Sequence, residues 1–136
     1  MSRQEPTWLS RQFLDAAHHD QLQQHGGLPG VRDENALESA LARPCNRWNY
    51  EPETSLLELA ASYCYGLATS HGYSDGNKRI AFVAMYTFLG VNDLEITASQ
   101  VEVVKMMLAV AAGKLGEEEI VQWLELYTEP CLGEDD

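Results

Sequence analysis

Apolar residues recur along most of the chain at the spacing of an α-helix, and the pattern stops at a few stretches rich in glycine, proline, asparagine and aspartate. Leu9, Phe13, Leu14, Ala17 and Leu22 predict a first helix ending near Gln24, capped by Ser10 or Thr7 and stopped by Gly26-Gly27. Asp33 caps a short second helix through Leu41. From Arg43 to Tyr50 the period breaks around Pro44, which predicts an irregular or hairpin segment. Thr54 or Ser55, with Glu58 completing a capping box, opens a helix that carries Leu56, Leu57, Leu59, Ala60, Tyr63, Cys64, Leu67 and Ala68. Another runs from Asn77 to Gly90, followed by a short extended piece at Leu94–Ile96. Val101, Val104, Leu108 and Ala111 mark a helix over Ala98–Ala112, and Ile120, Val121, Trp123, Leu124 and Tyr127 mark one over Glu117–Tyr127. The reading is all-α: one domain over residues 1–136, about six helices, and a loose acidic tail over about 130–136.

The helices on either side of residues 71–79 are apolar on nearly every face, which predicts that neither faces water. Between them stands His71-Gly72-Tyr73-Ser74-Asp75-Gly76-Asn77-Lys78-Arg79, where polar groups gather at a turn. A helix starting near Gly76 directs its free N–H groups and the positive end of its dipole outward, a geometry that binds phosphate. Lys78 and Arg79 add charge, Asn77 adds an amide donor, and Asp75 suits a divalent cation shared with phosphate oxygens. A neutral His71 is placed to take a proton from a hydroxyl. Taken singly, each residue has a plainer role: His71 as a helix-end residue, Asp75 as a cap.

Composition narrows the function. A net charge of −12, from nine basic and 21 acidic residues, argues against nucleic acid as a partner. No apolar run reaches the roughly 20 residues that span a bilayer, and Met1–Pro6 has no signal-like character, so the expectation is a cytoplasmic protein that binds no membrane. Cys45, Cys64 and Cys131 lack metal-ligand spacing and read as free thiols. His18, His19 and His25 read as ordinary, partly exposed residues, because adjacent histidines do not share a helix face. Gly26–Gly30 alone reads as a connector, since no lysine or serine follows at phosphate-loop spacing. Arg43 and Arg47 are expected to meet Lys78 and Arg79 at one basic pocket.

The run at 71–79 resembles the signature of the Fic/Doc family, His-x-Phe-x-(Asp/Glu)-(Gly/Ala)-Asn-(Gly/Lys)-Arg, in the lysine form typical of Doc, the death-on-curing toxins. His25–Asp33 resembles the Gly-Gly-Leu-Pro-Gly loop of Doc, and Thr87–Asn92 the end of the family's central helix. The resemblance implies ATP and Mg2+ as cofactors, His71 as general base, Asp75 on the metal, and Gly76, Asn77, Lys78 and Arg79 on phosphate. For Fic proteins it implies AMP transfer to a protein hydroxyl. For Doc it implies a reversed nucleotide and phosphorylation of elongation factor Tu, with Lys78 filling space that glycine leaves free. Residues 42–50 are then a flap that binds the target through Arg43, Asn46, Arg47 and Trp48. A Ser/Thr-x-x-x-Glu-Gly/Asn inhibitory sequence is missing, so control is expected from an antitoxin whose disordered tail folds on the toxin. Three positions depart from the pattern: Gly72 replaces a frequent proline, Tyr73 replaces phenylalanine, and Ile80 stands where threonine is common. A silent member that keeps only the fold is the third reading, beside kinase and AMP transferase.

Overall fold

The computed structural model describes residues 4–131; most of the predicted acidic tail lies outside them. In order, the elements are α1 (Arg11–His25), α2 (Glu34–Tyr50), α3 (Leu56–Ser70), α4 (Asn77–Val91), β1 (Leu94–Ile96), α5 (Gln100–Ala111), α6 (Glu117–Tyr127) and β2 (Thr128–Pro130). The all-α expectation holds. β2 pairs antiparallel with β1, Leu94 opposite Pro130 and Ile96 opposite Thr128, and so ties the end of α6 to the end of α4.

The caps at Ser10, Asp33 and Ser55 follow the sequence, while Ser99, inside the predicted fifth helix, caps α5. Ser10, Asp33, Ser55 and Ser99 each accept a backbone N–H at the start of a helix, and Ser55 with Glu58 closes the predicted capping box. α3 is the centre: Leu59 through Cys64, and Gly66 through Ala68, are buried, with α2, α4, α5 and α6 around them. Tyr63, Phe88, Leu67, Ile80, Met85, Leu89, Leu14, Leu37, Ile120 and Leu124 fill the core. Burial pushes the Cys64 thiol up to about 12, so it behaves as a small apolar residue facing Met107.

Three helical expectations need correction. α4 is not enclosed: Ile80, Ala81, Ala84, Met85, Phe88 and Leu89 form its buried stripe, while Tyr86 is half exposed. α5 turns Met106, Met107 and Val110 inward, leaving Val101, Val104 and Leu108 exposed, because the methionines reach α3 from the face opposite the predicted one. The third correction is the largest. Residues 42–50 are not an irregular flap but the second half of α2, with Pro44 inside the helix and buried. A proline there removes the bond to the Ala40 carbonyl and costs on the order of 3 kcal/mol. Continuity of the stripe Leu37, Ala40, Leu41, Pro44 and Trp48 against the core offsets it, as do the ion pairs of Arg43 and Arg47 described below.

α2 also sets the position of the turn between α3 and α4. The Gly72 carbonyl accepts the N–H groups of Arg32 (2.8 Å) and Asp33 (3.0 Å). A Cβ at Gly72 would lie 2.9 Å from the Leu37 Cβ and 3.0 Å from its Cα. The glycine is therefore a packing requirement rather than a source of looseness. Gly72→Ala is expected to lower stability by about 1–3 kcal/mol through forced separation of α2 from the turn, measured as the denaturant midpoint. An unchanged midpoint would show that this contact is not tight.

Candidate active site

The turn between α3 and α4 is built from its own backbone. His71 ends α3 in the left-handed conformation (φ 54°, ψ 45°), a strained state for a residue with a Cβ, and turns the chain sharply out of the helix. Asn77, the first residue of α4, reaches back to Tyr73: its Oδ1 accepts the Tyr73 N–H at 3.1 Å and its Nδ2 donates to the Tyr73 carbonyl at 3.0 Å. The amide predicted for phosphate thus closes the loop with one of its N–H bonds and has one left. Gly76, at φ 75°, enters α4 with no side-chain cap. Among the described residues the N–H groups of Asn77, Lys78 and Arg79 in the first turn of α4 have no partner, and they stand at the positive end of the dipole.

A cleft of about 820 Å3 opens over this helix end. His71, Ser74, Asp75, Gly76, Asn77, Lys78 and Arg79 line one side, and Val104, Leu108 and Ala111 of α5 the other. Lys78 and Arg79 are exposed and make no ion pair among the described residues, whereas Arg11, Arg43, Arg47 and Lys105 all do. The imidazole of His71 makes no hydrogen bond within the described residues and faces the same cleft. Base candidate, free N–H groups and two unpaired cations are therefore brought together as the sequence indicates.

Asp75 is placed differently from a dedicated metal ligand. Its Oδ2 accepts the Leu28 N–H (3.1 Å) and its Oδ1 the Gly76 N–H (2.8 Å), and these bonds hold its carboxyl below the usual carboxylate range. It pins the Gly26–Gly30 loop to the turn. Among the described residues no three acidic, histidine or cysteine side chains are grouped for a metal. The exposed carboxylate still fits Mg2+ in the common manner, one protein oxygen with the rest from phosphate and water, because each of its oxygens keeps a second lone pair.

The glycine loop is more than a connector. Val31 pairs antiparallel with Tyr73, Ser74 donates its N–H to the Gly30 carbonyl at 3.0 Å, and Gly27 (φ 129°) has no room for a Cβ between Leu22 and Asp75. Sequence reading also missed Asp15 and His18. His18 is buried, its ring stacks on that of Tyr73 at 3.7 Å and 8°, and its Nε2–H donates to the Asp75 carbonyl at 2.8 Å. The Tyr73 hydroxyl donates to Asp15 Oδ1 at 2.6 Å. The spacing of Arg11, Asp15, His18 and Leu22 along one face of α1 was the available signal.

The flap residues do not join this cleft. Arg43 binds Glu117 (2.6 Å) and lies over the Tyr65 ring, while Arg47 binds Glu117 (3.1 Å), Glu51 (3.3 Å) and Glu58 (3.4 Å). The long α2 places them one turn apart facing α6, so neighbouring carboxylates take up their charge. Asn46 is exposed on α2 beside Arg43, and Trp48 packs edge-on against Trp8 at 6.2 Å. The expected single basic pocket is thus two separate places.

A sequence profile described as the Fic/DOC family matches residues 8–89, which include the glycine loop, the turn and nearly all of α4. The "Protein kinase doc" of Escherichia phage P1 is 30% identical over 116 residues, 85% of this chain and 91% of that protein. The "Toxin Doc" of Mycolicibacterium smegmatis is 38% identical over 74 residues, 54% of this chain and 57% of that protein. With the profile covering more than half its length and this geometry at its signature, the chain belongs to the Fic/DOC family and is similar to its Doc toxins.

Proposed function

We propose that the protein is a Doc-type toxin that transfers the γ-phosphoryl group of ATP to a hydroxyl of a protein target and so blocks translation. The observation that carries this reading is the meeting of His71 with the uncapped start of α4, where Lys78 and Arg79 stand unpaired in one cleft. In the transfer, His71 accepts the proton as the target hydroxyl oxygen bonds to phosphorus, and the bond from phosphorus to the β-phosphate oxygen breaks to release ADP. The N–H groups of α4, the remaining Asn77 N–H, Lys78 and Arg79 neutralise charge on the phosphoryl oxygens. Mg2+, held by Asp75 and phosphate, would supply further neutralisation there.

Family resemblance points to elongation factor Tu as the target and to an antitoxin as the controlling partner. A place for the antitoxin tail is supported by an apolar groove of about 260 Å3 between α1, α4 and α5, lined by His25, Phe82, Val83, Val104 and Leu108 and bordered by Lys78 and Arg79. An amphipathic helix with acidic residues suits that mixture. For the target, the helical second half of α2 offers its exposed Asn46 and Asn49 rather than a flexible strand. No helix among the described residues is long and apolar enough to cross a membrane.

Incubation with ATP, Mg2+ and elongation factor Tu, followed by intact-mass measurement of the target, tests the reading. A phosphate increment is expected; an AMP increment would instead assign Fic-type transfer, and no increment on any lysate protein a silent fold. His71→Ala is expected to reduce transfer at least about 100-fold and to abolish growth arrest on expression. Arrest that persists would remove His71 as the base behind toxicity. Lys78→Gly is expected to change the increment from phosphate toward AMP, and an unchanged product would show that this side chain does not set nucleotide orientation.

A further inference from the structure

We propose that Asp15 and His18 of α1 are positioning residues for the active site, and that they act by clamping Tyr73. The clamp has two parts. Asp15 accepts a 2.6 Å hydrogen bond from the Tyr73 hydroxyl, while His18 lies flat on the Tyr73 ring at 3.7 Å and donates to the Asp75 carbonyl at 2.8 Å. The carbonyl only accepts, so Nε2 carries the proton in this arrangement. Burial alone would raise the Asp15 carboxyl, but the bonds from Tyr73 and Arg11 outweigh it and hold the group below its ordinary value. Burial and the same bond push the Tyr73 hydroxyl up. Donor and acceptor roles are therefore fixed: phenol to carboxylate. Arg11 continues the link, binding Asp15 at 2.9 Å and the carboxylates of Glu34 and Glu38 on α2.

Tyr73 is the point where such a clamp affects chemistry. Both its N–H and its carbonyl are held by Asn77, the first residue of α4, and His71 lies two residues before it. The placement of the Tyr73 backbone therefore sets the imidazole relative to the start of α4. The N–H groups of that start, with Lys78 and Arg79, travel with the helix itself. Loosening Tyr73 misplaces the base against a phosphate that is still gripped, which lowers turnover more than nucleotide affinity. The hydroxyl bond is available here because tyrosine stands where the family signature has phenylalanine, a ring with no proton to give Asp15. Arg11, Asp15 and His18 lie along one face of α1, and Gln21 and His25 of the same helix line the apolar groove.

The turnover arm of the test rests on the transferase reading; the second arm does not. Wild type, Asp15→Ala, Tyr73→Phe, the double variant and His18→Phe are compared for kcat, for KM of ATP, and for amide hydrogen exchange over residues 71–79 against the α3–α4 core. His18→Phe keeps the ring stack and removes the bond to Asp75. Asp15→Ala is expected to lower kcat about tenfold with KM within about twofold, and to speed exchange of the loop while the core stays protected. In the Tyr73→Phe background the same change is expected to do nothing further, since the hydroxyl through which Asp15 acts is gone. His18→Phe is expected to speed loop exchange likewise. Additive losses in the double variant, or loop exchange that does not change, would overturn the proposal. Absence of any transfer by wild type, with loop exchange responding as described, would refute the kinase reading and leave the clamp standing.

Discussion

Everything at the candidate site depends on the two hydrogen bonds by which Asn77 closes the turn onto Tyr73. α3 and α4 are packed through Tyr63, Leu67, Ile80, Met85 and Phe88, so their ends cannot separate to let water solvate a polar turn from within. A backbone N–H and carbonyl at Tyr73, which is almost fully buried, must find partners locally or cost on the order of 1–3 kcal/mol each. One side-chain amide supplies both. The same residue starts α4, so satisfying the loop also fixes where the helix begins and where its free N–H groups point. His71 absorbs the remaining geometric mismatch in a left-handed conformation.

The helices were legible because they follow local rules. Ser55 with Glu58 and Asp33 with Ala36 are caps that sequence alone identifies, and α3 and α6 fall almost where periodicity puts them. The constellation His71, Asp75, Asn77, Lys78 and Arg79 was legible for the same reason, being contiguous across a helix start. What escaped was long-range. Pro44 is a helix breaker by propensity, and only the fit of Pro44 and Trp48 against α3, with Glu117 reaching from α6, keeps α2 going. β2 is specified by its partner at Leu94–Ile96 rather than by its own three residues. Which face of α5 is buried depended on Met107 reaching Cys64, a contact between residues 43 apart in sequence.

Charge shows the same division. Three of the nine basic residues are matched with carboxylates at helix crossings, Arg11 between α1 and α2, Arg43 and Arg47 between α2 and α6. Such partly exposed pairs each add little, about 0–1 kcal/mol, but they remove positive potential from the surface of an acidic protein. Against that background two unpaired cations at a helix start stand out as a local field rather than as part of a basic face. Asp75, spent on holding the glycine loop, leaves them uncompensated by any direct ion pair among the described residues.

Lys78 and Arg79 lie on a ridge shared by the cleft over the start of α4 and the apolar groove on the α1 side. Two anionic ligands, one on each side, draw on the same pair of charges. Occupancy of either weakens the other, and by thermodynamic linkage the factor is the same in both directions. On the proposed function, ATP in the cleft is then an antagonist of an acidic antitoxin tail in the groove, and the ATP concentration becomes a variable in how tightly that tail is retained.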